Sequence, residues 1–440
     1  MWMLIAVRRA CSKKAKGVVM VNWSSHAISE ASRRGDYGRV VKLARMEARL
    51  SQRGLGEACG TSQSAISRLE GRGVTSYDTA QLAQIADHLQ IPPRLVGLAD
   101  RATALAARGE RSGSDVERRS FLTGVATVAA SSVVSVASVH SSVSNQAAAL
   151  RDATSAFRRL DGSTPSRQLV EAVLAHLRMA QRITHNAENG RERGHLAAVG
   201  SEVASLAGWL HWDIGDHGSA RTWYGVSSKA ARHSRKPLLA AYQLGSLAQF
   251  EAHAGNSAQG LALVRSARKQ LGPDLPAIAD AWLFSVEALA HATAGDAESA
   301  DAALGASERC VRHIENEEGP PWPWVFSFTE AKVAAVRVSC GAHLGKPRWV
   351  FSTPDSTAAA TTPGHEKQRA LLMLDLASGH MASGRLDGAF ILATQALEIG
   401  LRYQSGRIVE RARGLRRSYS TSTPPKVVRE FDERLYDVFM

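Results

Sequence analysis

The pairs Gly215-Asp216, Gly255-Asn256 and Gly295-Asp296 recur at intervals of 40 residues. A small residue lies four positions after the second member of each pair, at Ala220, Gly260 and Ala300. Another lies seven positions before each glycine, at Gly208, Ala248 and Ala288. Gly384-Arg385 repeats the form with Ala377 and Ala389, and Gly345-Lys346 reads as a degraded copy. A fixed period of this length implies one supersecondary unit stacked on copies of itself. The glycine makes a tight turn, and the small residues let two antiparallel helices approach closely. A bulky residue follows four positions later in three copies, at Tyr224, Val264 and Leu304, and fills the space beside them. From about 146 to 401 the text is Ala/Leu-rich with helical periodicity. Strand-like alternation is almost absent, so the expected fold is all-α.

This pattern resembles the tetratricopeptide repeat, with Gly208, Gly215, Asp216, Ala220 and Tyr224 forming the best copy. That family's usual period is about 34 residues, so 40 implies longer helices or loops. The resemblance implies an α-solenoid with an extended concave face for a peptide, a protein segment or a small effector. Trp209, Trp212, Trp223, Tyr242, Phe250 and Trp282 concentrate here, most of them as core and one or two as lining of a pocket. Arg182, Arg221, Lys229 and Arg232 are cations that could meet an anionic ligand or lie on a solvated helix face.

A second compact helical pattern spans 38–99. Val40, Val41, Leu43 and Ala44 form an apolar face. Ser51 is placed to cap a short helix, Gly60 to end it in the left-handed conformation, and Ser62 to cap the next. Leu55, Ala58, Ile66 and Leu69 are expected to pack these two helices together, while Leu82, Ile85, Ala86, Leu89 and Ile91 close the small core. Two short helices joined by a Gly-containing turn make a helix-turn-helix. Its second helix turns Gln63, Ser64, Ser67 and Arg68 outward, beginning at Ser62. Gln pairs bidentately with adenine and Arg with guanine in the major groove, and Gln52 is placed to meet a phosphate.

Leu50-Ser51-Gln52, Ala58-Cys59-Gly60-Thr61-Ser62, the run Gln63 to Glu70, and Leu82 to Ile91 together resemble the Cro/phage-repressor class of helix-turn-helix domains, the xenobiotic-response-element family. The resemblance implies a five-helix-type domain on double-stranded DNA, with Gln52 on backbone phosphate and Gln63, Ser64 and Arg68 facing bases. Gly54 and Gly56 depart from good helix chemistry, each costing about 1 kcal/mol against alanine. Gly56 matches a small position where helices touch; Gly54 has no such reason and marks a soft domain.

The rest of the chain divides by composition. Residues 1–37 read as a basic arm, with seven Lys/Arg against Glu30 and Asp36. The apolar run Trp2 to Val7 precedes its charges, the reverse of a secretory signal, and Met20 is an alternative initiator. Residues 100–145 read as a Gly/Ser-containing linker followed by a weakly apolar helix. Arg118-Arg119-Ser120-Phe121-Leu122 has the form of a twin-arginine signal but stands far from the N-terminus, so a docking helix is the expected reading. Residues 402–440 read as a basic tail broken at Ser418–Pro425. The formal net charge of +13 points toward nucleic acid or an anionic surface, although 38–99 itself has eight Lys/Arg against five Asp/Glu. Arm and tail would then supplement phosphate contact.

Four dispersed cysteines, Cys11, Cys59, Cys310 and Cys340, form no CxxC pair and fit a reducing cytoplasm. No stretch offers about 20 apolar residues for a membrane span. His211, Asp213, Asp216 and His217 are ligand types, but their spacing matches no zinc pattern, so no metal is expected. The chain lacks a phosphate-loop motif and a G-x-S-x-G elbow, so neither a cofactor nor a catalytic residue is expected and the protein is not read as an enzyme. The two-part layout resembles bacterial regulators, of Gram-positive bacteria, that join these modules and whose repeats often bind a signalling peptide. The Ala/Arg/Gly-rich composition suits a high-GC actinobacterium. The expected function is a homodimeric transcriptional regulator that reads DNA and senses a peptide or small-molecule effector. The alternative is a protein-interaction scaffold whose helix-turn-helix fold no longer binds DNA.

Overall fold

Glycine turns and short polar caps bound many of the helices among the described residues. The computed structural model describes residues 21–23, 25–74, 77–98, 137–187, 189–272, 276–314, 321–324, 326–352 and 365–436. Among these residues every regular element is helical. They form two units, one ending at Leu98 and one beginning beyond it. The first 20 residues, the twin-arginine-like motif and nearly all of the expected linker helix lie outside the described residues.

The N-terminal unit holds α1 (His26–Arg34), α2 (Tyr37–Glu47), α3 (Gln52–Ala58), α4 (Gln63–Glu70), α5 (Thr79–Leu89) and a 3-10 turn at Pro93–Val96. Side-chain caps set the starts of α2 to α5. Asp36 accepts from Arg39 N, Ser51 from Gly54 N, Ser62 from Ala65 N, and Asp78 from Ala80 N and Gln81 N. Gly60 has φ +59, as its place after α3 predicts. Ile28, Val40, Val41, Leu55, Ile66, Leu82 and Ile85 form a fully buried centre.

Two expectations are corrected here. The arm of residues 1–37 does not extend to Asp36: α1 is part of the domain and gives Ile28 and Ala31 to its core. Only Ile28, Ala31 and Ser32 of this nine-residue helix are buried, too few for a periodic signal amid polar neighbours. Ala58 is exposed, and Cys59 takes its place in the core.

The C-terminal unit runs from α6 (Ala137–Asp161) and α7 (Ser166–His185) into successive hairpins. These are α8 (Gly190–Ile214) with α9 (His217–His233), α10 (Pro237–His253) with α11 (Ser257–Leu271), and α12 (Ala277–Thr293) with α13 (Ala297–Val311). Next come α14 (Glu330–Leu344) with the single turn α15 (Pro347–Val350), α16 (Glu366–Ala382) with α17 (Leu386–Arg402), and α18 (Gly406–Arg417) with α19 (Lys426–Tyr436). Gly215, Gly255, Gly295, Gly345 and Gly384 all adopt positive φ, so each copy found in the sequence is a real turn. Ala220, Ala300 and Ala389 are fully buried, as are Ala248, Ala288 and Ala377. At Gly208 a side chain would press against the Tyr224 ring at 3.1 Å. The helical repeat region is therefore present, and its degraded copy is the one whose second helix shortens to one turn.

The expected basic tail is also corrected. Residues 406–436 form one more helix pair, with Ile408, Val409, Ala412, Leu415, Val428 and Phe431 in a core shared with Phe390 and Leu397. Its arginines are mostly paired within the unit: Arg416 forks onto Asp432 at 2.6 and 2.8 Å, and Arg411 meets the buried Asp375. They are not a loose supplement for phosphate.

The repeat array also closes on itself. Lys367, at the start of α16, donates to Asp161 at 2.7 Å, Ser166 at 2.8 Å and Asp213 at 3.2 Å. Asp213 also accepts from Ser405 at 2.6 Å. Gly406 lies so close to the Ile214 carbonyl that a Cβ there would sit 2.1 Å from its oxygen. The extended open face expected of a solenoid is thus replaced by a space bounded by the first and last helices. No helix among the described residues is long and apolar enough to cross a membrane.

Candidate nucleic-acid interface and a second concave site

Helix α4 begins after Ser62, whose hydroxyl caps it, and ends at Glu70, whose carboxylate is buried. Ile66 and Leu69 point into the core. Ser62, Gln63, Ser64, Ser67 and Arg68 are all exposed, so every outward side chain expected from the sequence is placed on the surface of this one helix and its cap. Ser62 Oγ lies 3.0 Å from Ser64 Oγ, and Arg68 Nε donates to the Ser64 carbonyl at 3.3 Å.

A chain of polar side chains fixes this face from below. Arg45 on α2 donates from Nε and Nη2 to the two oxygens of Glu70, at 2.6 and 2.9 Å, and from Nη1 to the Leu50 carbonyl at 2.7 Å. Glu70 also accepts from Gln52 Nε2 at 2.8 Å. That carboxylate can only accept, so it orients the Gln52 amide with its oxygen turned away. The oxygen then accepts from Gln63 Nε2 at 2.9 Å. Burial pushes the Glu70 carboxyl up, but the bonds from Arg45 and Gln52 outweigh it and hold the group below its ordinary value. Sequence reasoning assigned Gln52 to a phosphate and gave no role to Arg45 or Glu70. Nothing in the sequence near either residue marks that pair, since each stands among other charged and polar residues.

Close backbone packing supports the same helix. A Cβ at Gly38 would lie 2.0 Å from the Leu69 carbonyl oxygen, and one at Gly56 would lie 2.8 Å from that of Thr61. At Gly54 the nearest atom is the Ser51 hydroxyl, at 3.3 Å, so packing does not require that glycine. Tyr77 accepts from Gly38 N at 3.0 Å and donates to the Gly73 carbonyl at 2.5 Å, tying the start of α2 to the loop after α4. Burial pushes the Tyr77 hydroxyl up to about 12, so it stays protonated and can donate.

The C-terminal unit contains a pocket of about 710 Å³. Trp209, Tyr242 and Trp282 reach it, as does Tyr224, while Trp212, Trp223 and Phe250 remain core. Its cations are not those singled out from sequence: Arg221 is bound by Glu251 at 2.5 and 2.9 Å. The lining cations are Arg158, Arg159, Lys332, Arg407 and Arg411, dispersed over three helices, α6, α14 and α18, and legible only once the array has closed. Of the residues with metal-ligand chemistry, Asp216 caps α9 and Asp213 holds Lys367 and Ser405. His211 donates to the Ala207 carbonyl at 2.7 Å, and His217 Nδ1 contacts the Gly215 carbonyl at 3.1 Å. Among the described residues no group of three or more acidic, His or Cys side chains is placed to hold a metal ion.

Comparison with known proteins bears on the first unit. No curated protein matches the chain. No solved structure matches it either. A family model described as a helix-turn-helix domain matches residues 36–98. Those bounds run from the Asp36 cap of α2 to the residue that ends the N-terminal unit, and so include Arg45, Gln52, Glu70 and the whole outward face of α4. Residues 36–98 are a helix-turn-helix domain, a module that supports DNA as this chain's partner.

Proposed function

We propose that the protein is a sequence-specific transcriptional regulator of the Cro/phage-repressor subtype, acting in the cytoplasm on double-stranded DNA. The observation that carries this reading is the exposed polar face of α4 held by the Arg45–Glu70–Gln52–Gln63 chain. Placing a base-reading side chain in advance lowers the ordering cost of binding. In this reading α4 enters the major groove, Gln63 addresses adenine and Arg68 guanine. Ser62, Ser64 and Ser67 fix the register of the helix on the groove wall. Gln52 keeps one amide hydrogen for a phosphate while its other bonds position Gln63.

The C-terminal hairpins serve, in the same reading, as a tetratricopeptide-like sensor that binds an effector and joins two chains. Two recognition helices about 34 Å apart would meet successive major grooves, and a change in the sensor would alter their spacing.

Selection of duplexes from a random pool at fixed salt tests the reading. A regulator enriches one motif, with two half-sites about ten base pairs apart if dimeric. Failure to enrich any motif, with the fold intact, leaves the scaffold reading instead.

A further inference from the structure

The pocket of the C-terminal unit combines a flat aromatic wall with unneutralised positive charge. Tyr242 and Trp282 stack with ring centres 5.4 Å apart, and Phe326 lies 6.2 Å from Trp282. Both lining carboxylates are already used. Asp161 accepts from Lys367 and from Trp209 Nε1, at 2.7 Å each, and Asp375 is held by Arg411 and Ser339. Besides the exposed Arg159, Lys332 and Arg407 are not matched in this way. Lys332 makes no side-chain hydrogen bond or ion pair with a described residue, and burial alone pulls its ammonium below its ordinary value. Arg407 makes no side-chain hydrogen bond or ion pair with a described residue; its guanidinium carbon lies 3.6 Å from the centre of Trp212, and Asp213 and Asp375, both held by other partners, act on it only through space. Burial, reinforced by the neighbouring Arg411, lowers it to about 10. Arg158 adds a third charge, anchored by bonds to Tyr242 Oη at 3.1 Å and the Glu202 carbonyl at 3.5 Å, with the Glu202 carboxylate also acting on it.

Partly buried cations without counter-ions are costly, and an anion that enters relieves that cost. The volume lies within the range of small-molecule sites, roughly 300–1,000 Å³. On the aromatic wall itself the Ser246 and Ser285 hydroxyls are already donated to their own helices, at 2.8 and 2.7 Å, so that wall offers a ring face rather than hydrogen-bond donors. We infer that this pocket binds a small organic anion carrying a planar ring system, its charge on Lys332 and Arg407 and its ring against the Tyr242–Trp282 wall. The inference deepens the effector-sensing part of the proposed function and rests on it for biological meaning.

Two fluorescent probes that share a ring system separate the charge contribution from the apolar one. The full-length protein is titrated with 8-anilinonaphthalene-1-sulfonate and with its uncharged counterpart, N-phenyl-1-naphthylamine. The sulfonate should saturate at one site per chain, with tryptophan quenching. Lys332→Met should weaken it about tenfold, as loss of one charge-assisted contact implies, and change the neutral probe less than about twofold. Lys332→Arg should retain the sulfonate, and circular dichroism should be unchanged in both variants. Absence of saturable sulfonate binding, or equal weakening of both probes by Lys332→Met, overturns the inference. Duplex binding is measured on the same samples. The stated probe pattern without any duplex binding upholds the pocket and overturns the regulator reading; duplex binding without the probe pattern does the reverse.

Discussion

Gln63 on the exposed face of α4 donates its amide to Gln52 Oε1 at 2.9 Å, and Gln52 is in turn fixed by the buried Glu70. The side chain offered to a base is thus positioned through a residue that contacts no base in the proposed complex. Arg45 completes the chain, its side chain and that of Glu70 11% and 3% exposed. Removing one member of such a pair leaves the other buried and unpaired, at a cost of about 3–5 kcal/mol. Glu70→Ala should therefore unfold the N-terminal unit at much lower urea concentration than wild type. Arg45→Met with Glu70→Leu together should restore much of that loss, since no charge remains buried.

The same carboxyl sets an acid limit. Glu70 is held below its ordinary value of 4.5, so the unfolded chain takes up its proton more readily than the folded unit. Its contribution to stability is complete above about pH 4.5 and falls away as the pH drops through the folded value. Urea midpoints of the isolated pH series should decline below that point in wild type. Glu70→Gln should show a shallower decline, and an identical slope would remove Glu70 from the account.

Three glycines of the N-terminal unit should respond differently to alanine. At Gly38 a Cβ meets the Leu69 carbonyl oxygen at 2.0 Å, and at Gly56 that of Thr61 at 2.8 Å, both backbone atoms that cannot step aside. Gly38→Ala should prevent the native packing of α2 on α4, and Gly56→Ala should destabilise it. Gly54→Ala should cost far less than either, since the nearest atom there is the side-chain hydroxyl of Ser51, at 3.3 Å, and the gain of about 1 kcal/mol in helix propensity offsets its displacement. Thermal melts of the three variants check the order.

Closure of the repeat array depends on Lys367. Its ammonium meets Asp161, Ser166 and Asp213, residues more than 150 positions away in the chain. Lys367→Met should leave both carboxylates without their cation and cost about 3–5 kcal/mol. Hydrogen exchange should then quicken in α8 and α18, which meet at Ile214 and Gly406, while α12 and α13 remain protected.

What the sequence revealed depended on whether the cause was local. Gly215, Gly255 and Gly295 carry a turn requirement inside one residue, so the 40-residue period was legible and each turn stands where it was expected. Ser51, Gly60 and Ser62 are equally local, and the outward face of α4 followed from them. The turn into α18 was missed because Gln404, not glycine, takes the left-handed conformation there, with φ +50. That left the Arg-rich segment reading as a tail. The Asp213–Lys367 and Glu70–Arg45 pairs were invisible for a different reason. Nothing near either residue in the chain indicates its partner, and burial is decided by the assembled fold. The pocket's cations share that origin.

The central claim is that α4 reads base sequence through Gln63 and Arg68. Its most direct test takes the duplex motif recovered by selection and measures binding of wild type, Gln63→Ala and Arg68→Ala at one fixed salt concentration. Each substitution should lower affinity for the motif by roughly 1–3 kcal/mol and relax preference at one base position. Affinity for random duplex should change little. If both variants bind the motif as tightly and as selectively as wild type, α4 does not read the DNA and the account is wrong.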